Sequence, residues 1–311
     1  MMAIMDALTD FRSPLFCLML QEKLMNTYLV TGATGATGAP TVKYLLENGH
    51  RVNAFVHRED ERSQKLRDLG ATIFVGDALK LKELRPAMKG VDGAYFVYPL
   101  GNGLVEAAAI FAQAAKEEGV KIIANMSHKQ SRPDARSQTT LNHWLSEQVF
   151  SWSGVPTTHL RVTFFAQWML YIAPLIRAGV YLTPFDADSR FAPIATRDIA
   201  KIIASVLTNP EPHANKAYVL NGPIEYSHKE LAGVLADTLG KEVRFQQVSP
   251  QEFVKTLGLD ADPAYVTHFT AVKVDQQEKR LEGLDDIGTQ IIGGPLQTPA
   301  EFIAEHRDVL S

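Results

Sequence analysis

An apolar, strand-forming run turns directly into three evenly spaced glycines at Thr27-Tyr28-Leu29-Val30-Thr31-Gly32-Ala33-Thr34-Gly35-Ala36-Thr37-Gly38. A helical pattern follows over residues 39–48, and a second strand-like run, Arg51–Val56, comes next. Glycines at such a turn let backbone amides approach a pyrophosphate, where the positive end of the helix dipole favours negative charge. Gly-x-x-Gly-x-x-Gly between a strand and a helix therefore points to a dinucleotide site. Its expected contacts are Gly32, Thr34, Gly35, Ala36, Thr37 and Gly38. A purely structural turn is the alternative. A triphosphate loop is disfavoured, because no Gly-Lys-Ser or Gly-Lys-Thr closes the turn.

Beyond the turn, strands are expected at residues 51–56, 71–75, 93–98, 120–124 and 156–162. Helices are expected between them at 61–69, 81–88, 104–118 and 139–153. Short apolar strands alternating with helices imply a parallel sheet covered on both faces, with ligands at the carboxyl ends of its strands. From Phe164 the rhythm loosens, with helical patterns at 167–178 and 196–207 and an extended stretch at 191–194. A late strand is expected at 217–220, a helix opened by a Ser227/Glu230 capping box at 227–239, and a strand at 243–248. Helices starting at Pro250, Pro263 and Pro299 complete the chain. The expected architecture is α/β. A doubly wound parallel-sheet Rossmann domain over residues 26–165 precedes residues 166–311, which mix late sheet elements with a smaller, mostly helical substrate lobe. Residues 1–25 are expected to be an N-terminal extension, accessory or arising from an upstream start.

The net charge of −4 argues against nucleic acid as a ligand, since phosphate neutralisation needs a basic face. A single cysteine, Cys17, excludes an internal disulfide and a multi-cysteine metal site. No metal is expected, and a reducing, cytoplasmic setting fits. No apolar run approaches the length of a membrane span. The apolar stretch at 14–20 lacks the basic flank and cleavage site of a signal peptide. The expected partner is a small-molecule acceptor, with a homodimer or a regulatory protein partner left open.

The NAD-preferring version of this fold carries an acid at the end of its second strand. Here His57 and Arg58 stand there, so NADP(H) is expected over NAD(H). The alternatives are that both are merely solvated, or that Glu59 and Asp60 blunt their charge. Asp77, beside Ala78, follows the third strand, where it would meet adenine or cap its own turn. Tyr98 and Pro99 end the fourth strand and should run beside the ribose and pyrophosphate.

Together these residues resemble the NmrA-like branch of the atypical, extended short-chain dehydrogenase/reductases. The resemblance covers Asn26 to the C-terminus. It rests on residues 30–38, on Gly76-Asp77, and on His159-Leu160-Arg161-Val162-Thr163-Phe164-Phe165. It also includes Ala195-Thr196-Arg197-Asp198-Ile199-Ala200 and the helix start at Tyr226-Ser227-His228-Lys229-Glu230-Leu231. It implies NADP(H) binding and reduction of quinones, azo dyes or similar conjugated compounds. It also includes redox-sensing regulators that act through a protein partner without turnover. A flavin-assisted or biosynthetic reductase is a third possibility. Two positions depart from the family: its Arg after the second strand falls on His57, and Arg161-Val162 stands in place of Arg-Pro. Phe164 is expected beside the nicotinamide, ordinary core packing being the alternative.

Typical members of the wider superfamily use Tyr-x-x-x-Lys, in which the lysine lowers the tyrosine pKa for proton exchange. No tyrosine here has a lysine four residues later. At the corresponding helix, His143 and Glu147 share a face, a pattern similar to that of quinone-reductase-like members. The expectation is that Glu147 stabilises a charged, proton-donating His143; the alternative is a surface pair that only supports the helix. Ser127 falls at the position of the superfamily's catalytic serine and is expected to hydrogen-bond the acceptor. Lys129 would reach the nicotinamide or a phosphate, unless it is a solvated loop lysine. Trp144, Phe165 and Trp168 are expected to shape a ring-accepting pocket, plain packing being the alternative for Trp168.

Overall fold

The computed structural model describes residues 25–311. The expectations that fall on residues 1–24, including Cys17, lie outside the described residues. The first half alternates as the sequence implies: β1 (Thr27–Val30), α1 (Gly38–Glu47), β2 (Arg51–Val56), α2 (Glu61–Asp68), β3 (Thr72–Val75), α3 (Leu81–Met88) and β4 (Gly93–Phe96). Then follow α4 (Leu104–Glu117), β5 (Ile122–His128), α5 (Gln138–Ser153) and β6 (Thr157–Val162). With β9 (Ala217–Leu220), these strands form one seven-stranded sheet in the order β3-β2-β1-β4-β5-β6-β9. Every pairing in it is parallel. The strand order reverses between β1 and β4, so a crevice opens beyond their carboxyl ends.

The strand expected at 120–124 extends as β5 to His128, because Asn125 through His128 continue the ladder opposite His159 through Val162. That extension brings Ser127 and His128 to the rim of the crevice. The helix expected at 167–178 is two short helices, α6 (Trp168–Tyr171) and α7 (Ala173–Arg177). Pro174, in the first turn of α7, has no N–H to continue the earlier helix. The remaining elements are β7 (Val180–Thr183), β8 (Arg190–Phe191), α8 (Thr196–Thr208), β10 (Tyr226–Ser227), α9 (His228–Leu239) and β11 (Arg244–Gln247). They are followed by α10 (Pro250–Thr256), α11 (Pro263–Gln277), α12 (Ile287–Ile292), α13 (Pro299–Glu305) and α14 (Arg307–Leu310). Neither β7, which pairs in parallel with β11, nor α12 is apparent from the sequence.

Three apolar cores hold these layers. One face of the sheet packs Val30, Val42 and Leu45 against Ile199 and Ile203 of α8. The other face packs against α3, α4 and α5, where Phe96 meets Phe111 and Phe150 at ring-centroid distances of 5.0 and 5.2 Å. A third core, built by Met169, Ile176, Leu235, Phe253, Phe269 and Phe302, lies among the later elements. The C-terminal segment is tied to α8 by the buried Asp198 carboxylate, which accepts from the Gln297 amide at 2.7 Å.

Phe150 is fully buried and anchors α5, the helix that carries His143 and Glu147. Phe150→Ala removes a ring from a closed aromatic cluster and is expected to cost about 3–5 kcal/mol in urea unfolding. A loss below about 1 kcal/mol would contradict this packing.

Candidate active site

The glycine-rich turn is held by hydrogen bonds to β4. Thr31 Oγ1 accepts from the Val97 amide at 2.9 Å, and Thr37 Oγ1 lies 2.7 Å from the Tyr95 hydroxyl. Thr37 thus faces inward and braces the turn. Gly32 has φ +54°, and a Cβ on Gly38 would sit 2.2 Å from the Gly32 carbonyl oxygen. Only glycine permits that approach. The amides of Ala36, Thr37 and Gly38 have no hydrogen-bond partner among the described residues, and the first turn of α1 carries no acidic side chain. Bare amides at the positive end of a helix form an anion site. The residues present fit a dinucleotide pyrophosphate.

His57 and Arg58 are exposed at the end of β2 and make no side-chain hydrogen bond or ion pair among the described residues. Their acidic neighbours are engaged elsewhere. Arg67 holds Glu59 at 2.5 Å, and Asp60 caps α2 while binding Arg62 at 2.6 Å. Asp77 Oδ1 accepts from the Leu79 amide at 2.9 Å, so it caps its own turn, and Ala78 packs beneath it. Tyr98 lines the crevice and Pro99 is exposed beside it.

From Ala36 and Tyr98 a cleft of about 580 Å³ continues toward the later elements. Its walls are mostly apolar, with Met126, Val162, Phe164, Phe165, Trp168, Leu257, Tyr265 and Phe269 among them. Ser127, His128, Lys129, Thr163, His143 and His268 supply its polar groups. Trp144 does not line it; one step along α5 from His143 turns a side chain by about 100°. Phe164 also packs against Phe185 and Phe191 at 5.2 and 5.5 Å.

The expected pair of His143 and Glu147 does not form. Glu147 is buried, is bound in a two-pronged ion pair by Arg161 at 3.0 and 2.6 Å, and accepts from Ser127 Oγ at 2.5 Å. The Ser127 proton is therefore given to Glu147 and not to the cleft, so neither residue has its expected role in this geometry. No sequence signal near α5 reveals Arg161, which arrives from β6. Lys129 is likewise engaged: its ammonium donates to Asn221 Oδ1 and to the Leu281 carbonyl, each at 2.7 Å. It straps the end of β5 to the C-terminal segment and is not free for a cofactor.

His143 faces the cleft with Nδ1 sealed and unpartnered. Its ring stacks on His128 at 6.0 Å, and His128 meets His268 edge-on at 5.7 Å. His268 comes from α11, 125 positions beyond His143, and His128 stands between Ser127 and Lys129; neither carries a local sequence signal for this cluster. Burial pushes His143 and His268 down to about 4 and His128 well below its usual range. All three rings are therefore neutral near pH 7. Among the described residues, no group of His, Cys, Asp and Glu side chains is placed to hold a metal ion.

A sequence profile of the NmrA-like family matches residues 25–292. An NAD(P)H azoreductase from Xenophilus azovorans is 29% identical over 282 residues, spanning 89% of this chain and 97% of that protein. The NADPH complex of an NADPH-dependent quinone oxidoreductase from Escherichia coli superposes with a TM-score of 0.76 at 25% identity, covering 90% of this chain and 99% of that one. The NADP complex of NmrA, a negative transcriptional regulator, superposes with a TM-score of 0.78 at 16% identity, covering 92% and 96%, which is a likeness of fold.

The buried histidines set a pH dependence of stability. His143, His268 and His228, each held near 4, bind protons less readily folded than unfolded. Stability is therefore complete above the usual histidine pKa of about 6.5 and falls progressively between there and about 4. Each of the three is expected to subtract roughly 2 kcal/mol between pH 7.5 and pH 5, read from urea midpoints. Equal midpoints at the two pH values would contradict the buried, neutral state.

Proposed function

The chain belongs to the NmrA-like family, and on that premise we propose that it is an NAD(P)H-dependent reductase of a conjugated, mostly apolar small molecule such as a quinone or azo compound, with NADP(H) preferred over NAD(H). One observation carries the reading: the bare amides of Ala36–Gly38 and the apolar cleft form one continuous site, with Ala36 on its wall. Gly32, Gly35 and Gly38 hold the pyrophosphate by backbone. His57 and Arg58, free of acidic partners among the described residues, take the 2′-phosphate, and Asp77 with Ala78 borders the adenine. When bound, the reduced nicotinamide would supply hydride to an acceptor held in the cleft. Phe164, Phe165, Trp168 and Phe269 exclude water and receive a flat ring system. Among the described residues, Lys129 is the one cationic side chain on the wall and is already engaged, so the cleft suits an uncharged acceptor. His143 hydrogen-bonds the acceptor as a neutral ring. Glu147 and Arg161 position Ser127 and the end of β5. A cytoplasmic site of action is part of the same reading. No helix among the described residues is long and apolar enough to cross a membrane.

Titrating the protein into NADPH and NADH by fluorescence, then adding quinone and azo acceptors while following nucleotide absorbance, tests the proposal. NADPH binding with acceptor-dependent oxidation is expected. Binding without oxidation across the panel would favour a nucleotide-sensing regulator. Gly38→Ala is expected to abolish nucleotide binding. Arg58→Glu should weaken NADPH by about 10–100-fold, the scale of a lost charge-assisted hydrogen bond, and leave NADH nearly unchanged. His143→Ala should lower kcat by about 100-fold at unchanged NADPH affinity. Unaltered turnover in that variant would remove His143 from the reaction.

A further inference from the structure

His128 and His268 each turn one ring nitrogen away from the cleft, and the partners of those nitrogens fix where the proton sits. His128 Nδ1 receives the Gln130 backbone amide at 3.0 Å. A backbone N–H only donates, so Nδ1 is bare and the ring proton lies on Nε2. His268 Nδ1 lies 2.9 Å from Ser137 Oγ. That oxygen already accepts from the Thr140 amide at 3.4 Å as the cap of α5. Ser137 is buried, and its hydroxyl has no other acceptor within reach among the described residues. The hydroxyl therefore donates to His268 Nδ1, and His268 too carries its proton on Nε2. Neither Nε2 has a protein partner among the described residues, neither is a sealed atom, and both rings line the cleft.

We propose that His128 and His268 form a two-donor anion hole, in which their Nε2–H groups hold the oxygen or nitrogen of the acceptor that takes up negative charge on reduction. This rests on the reductase reading above. Hydride from the reduced nicotinamide breaks a C–H bond there and forms a new bond to hydrogen on the acceptor. The displaced electron pair moves through the conjugated system to its terminal oxygen or nitrogen. The two N–H donors meet that charge, and a solvent proton later completes the two-electron reduction. The donors are fixed in advance, which is what lets such a hole act without reorganisation. His128 ends β5. His268 is drawn beside it by Arg132, which binds Asp275 of α11 at 2.6 Å, and by Gln130, which donates to the Arg280 carbonyl. Burial keeps both rings neutral, so they act as hydrogen-bond donors and not as acids.

The probe is 4-nitrophenol, a planar phenol whose anion absorbs separately from its neutral form, titrated into the full chain across pH. The wild type is expected to bind the phenolate at least about tenfold more tightly than the phenol, a fall of about one unit in the probe's pKa. His268→Phe and His128→Phe should each abolish that preference, although Lys129 is untouched in both. His268→Gln, whose side-chain N–H replaces Nε2–H, should keep it. With a quinone, His268→Phe should lower kcat by about 100-fold and His268→Gln by less than about tenfold, at unchanged NADPH affinity. Equal binding of phenol and phenolate by the wild type, binding of neither, or a preference that survives both Phe variants would overturn the anion hole. If the preference holds while no acceptor oxidises NADPH, the hole stands and the reductase reading falls.

Discussion

The contact between Gly38 and the Gly32 carbonyl is the constraint on which the rest of the site depends. It folds the turn after β1 so tightly that α1 starts directly above the carboxyl edge of the sheet, with three amides that have no hydrogen-bond partner among the described residues. Thr31 and Thr37 tie the turn to β4, the strand across the topological switch, so the anion site and the crevice are one rigid unit. The β5 extension then carries Ser127 and His128 to the same rim. A side chain at Gly38 would force these elements apart together.

Much of this was legible locally. The Gly-rich turn, the first six strands of the sheet and the capping box at Ser227 each announce themselves within a dozen residues, because they arise from backbone conformation and short-range periodicity. His57 and Arg58 could also be placed by counting from the strand, and the structure adds why their charge is available: Glu59 and Asp60 are engaged by Arg67 and Arg62.

What was not legible is partnership across the fold. Helical spacing put His143 and Glu147 on one face, but spacing cannot show that Arg161, arriving from β6, takes the carboxylate. A buried carboxylate goes to the partner that best offsets its desolvation, and a guanidinium outcompetes an imidazole for two-pronged binding. Lys129 was misread for the same reason, since its acceptors lie 92 and 152 positions away. His268 had no local signature at all. The imidazoles of the cleft are thus three neutral rings, beside Ser127, Lys129 and Thr163, and not one half of the charged histidine–carboxylate pair that the sequence suggests.

The central claim is that the bare amides at the start of α1 receive the nucleotide beside the histidine-lined cleft. Amide NMR of labelled protein during NADPH titration tests it most directly. The account predicts that the Ala36, Thr37 and Gly38 resonances shift together and become protected from exchange, with the ring signals of His128, His143 and His268 perturbed in the same titration. Nucleotide binding that leaves those three amides unchanged, or no binding at all, would contradict it.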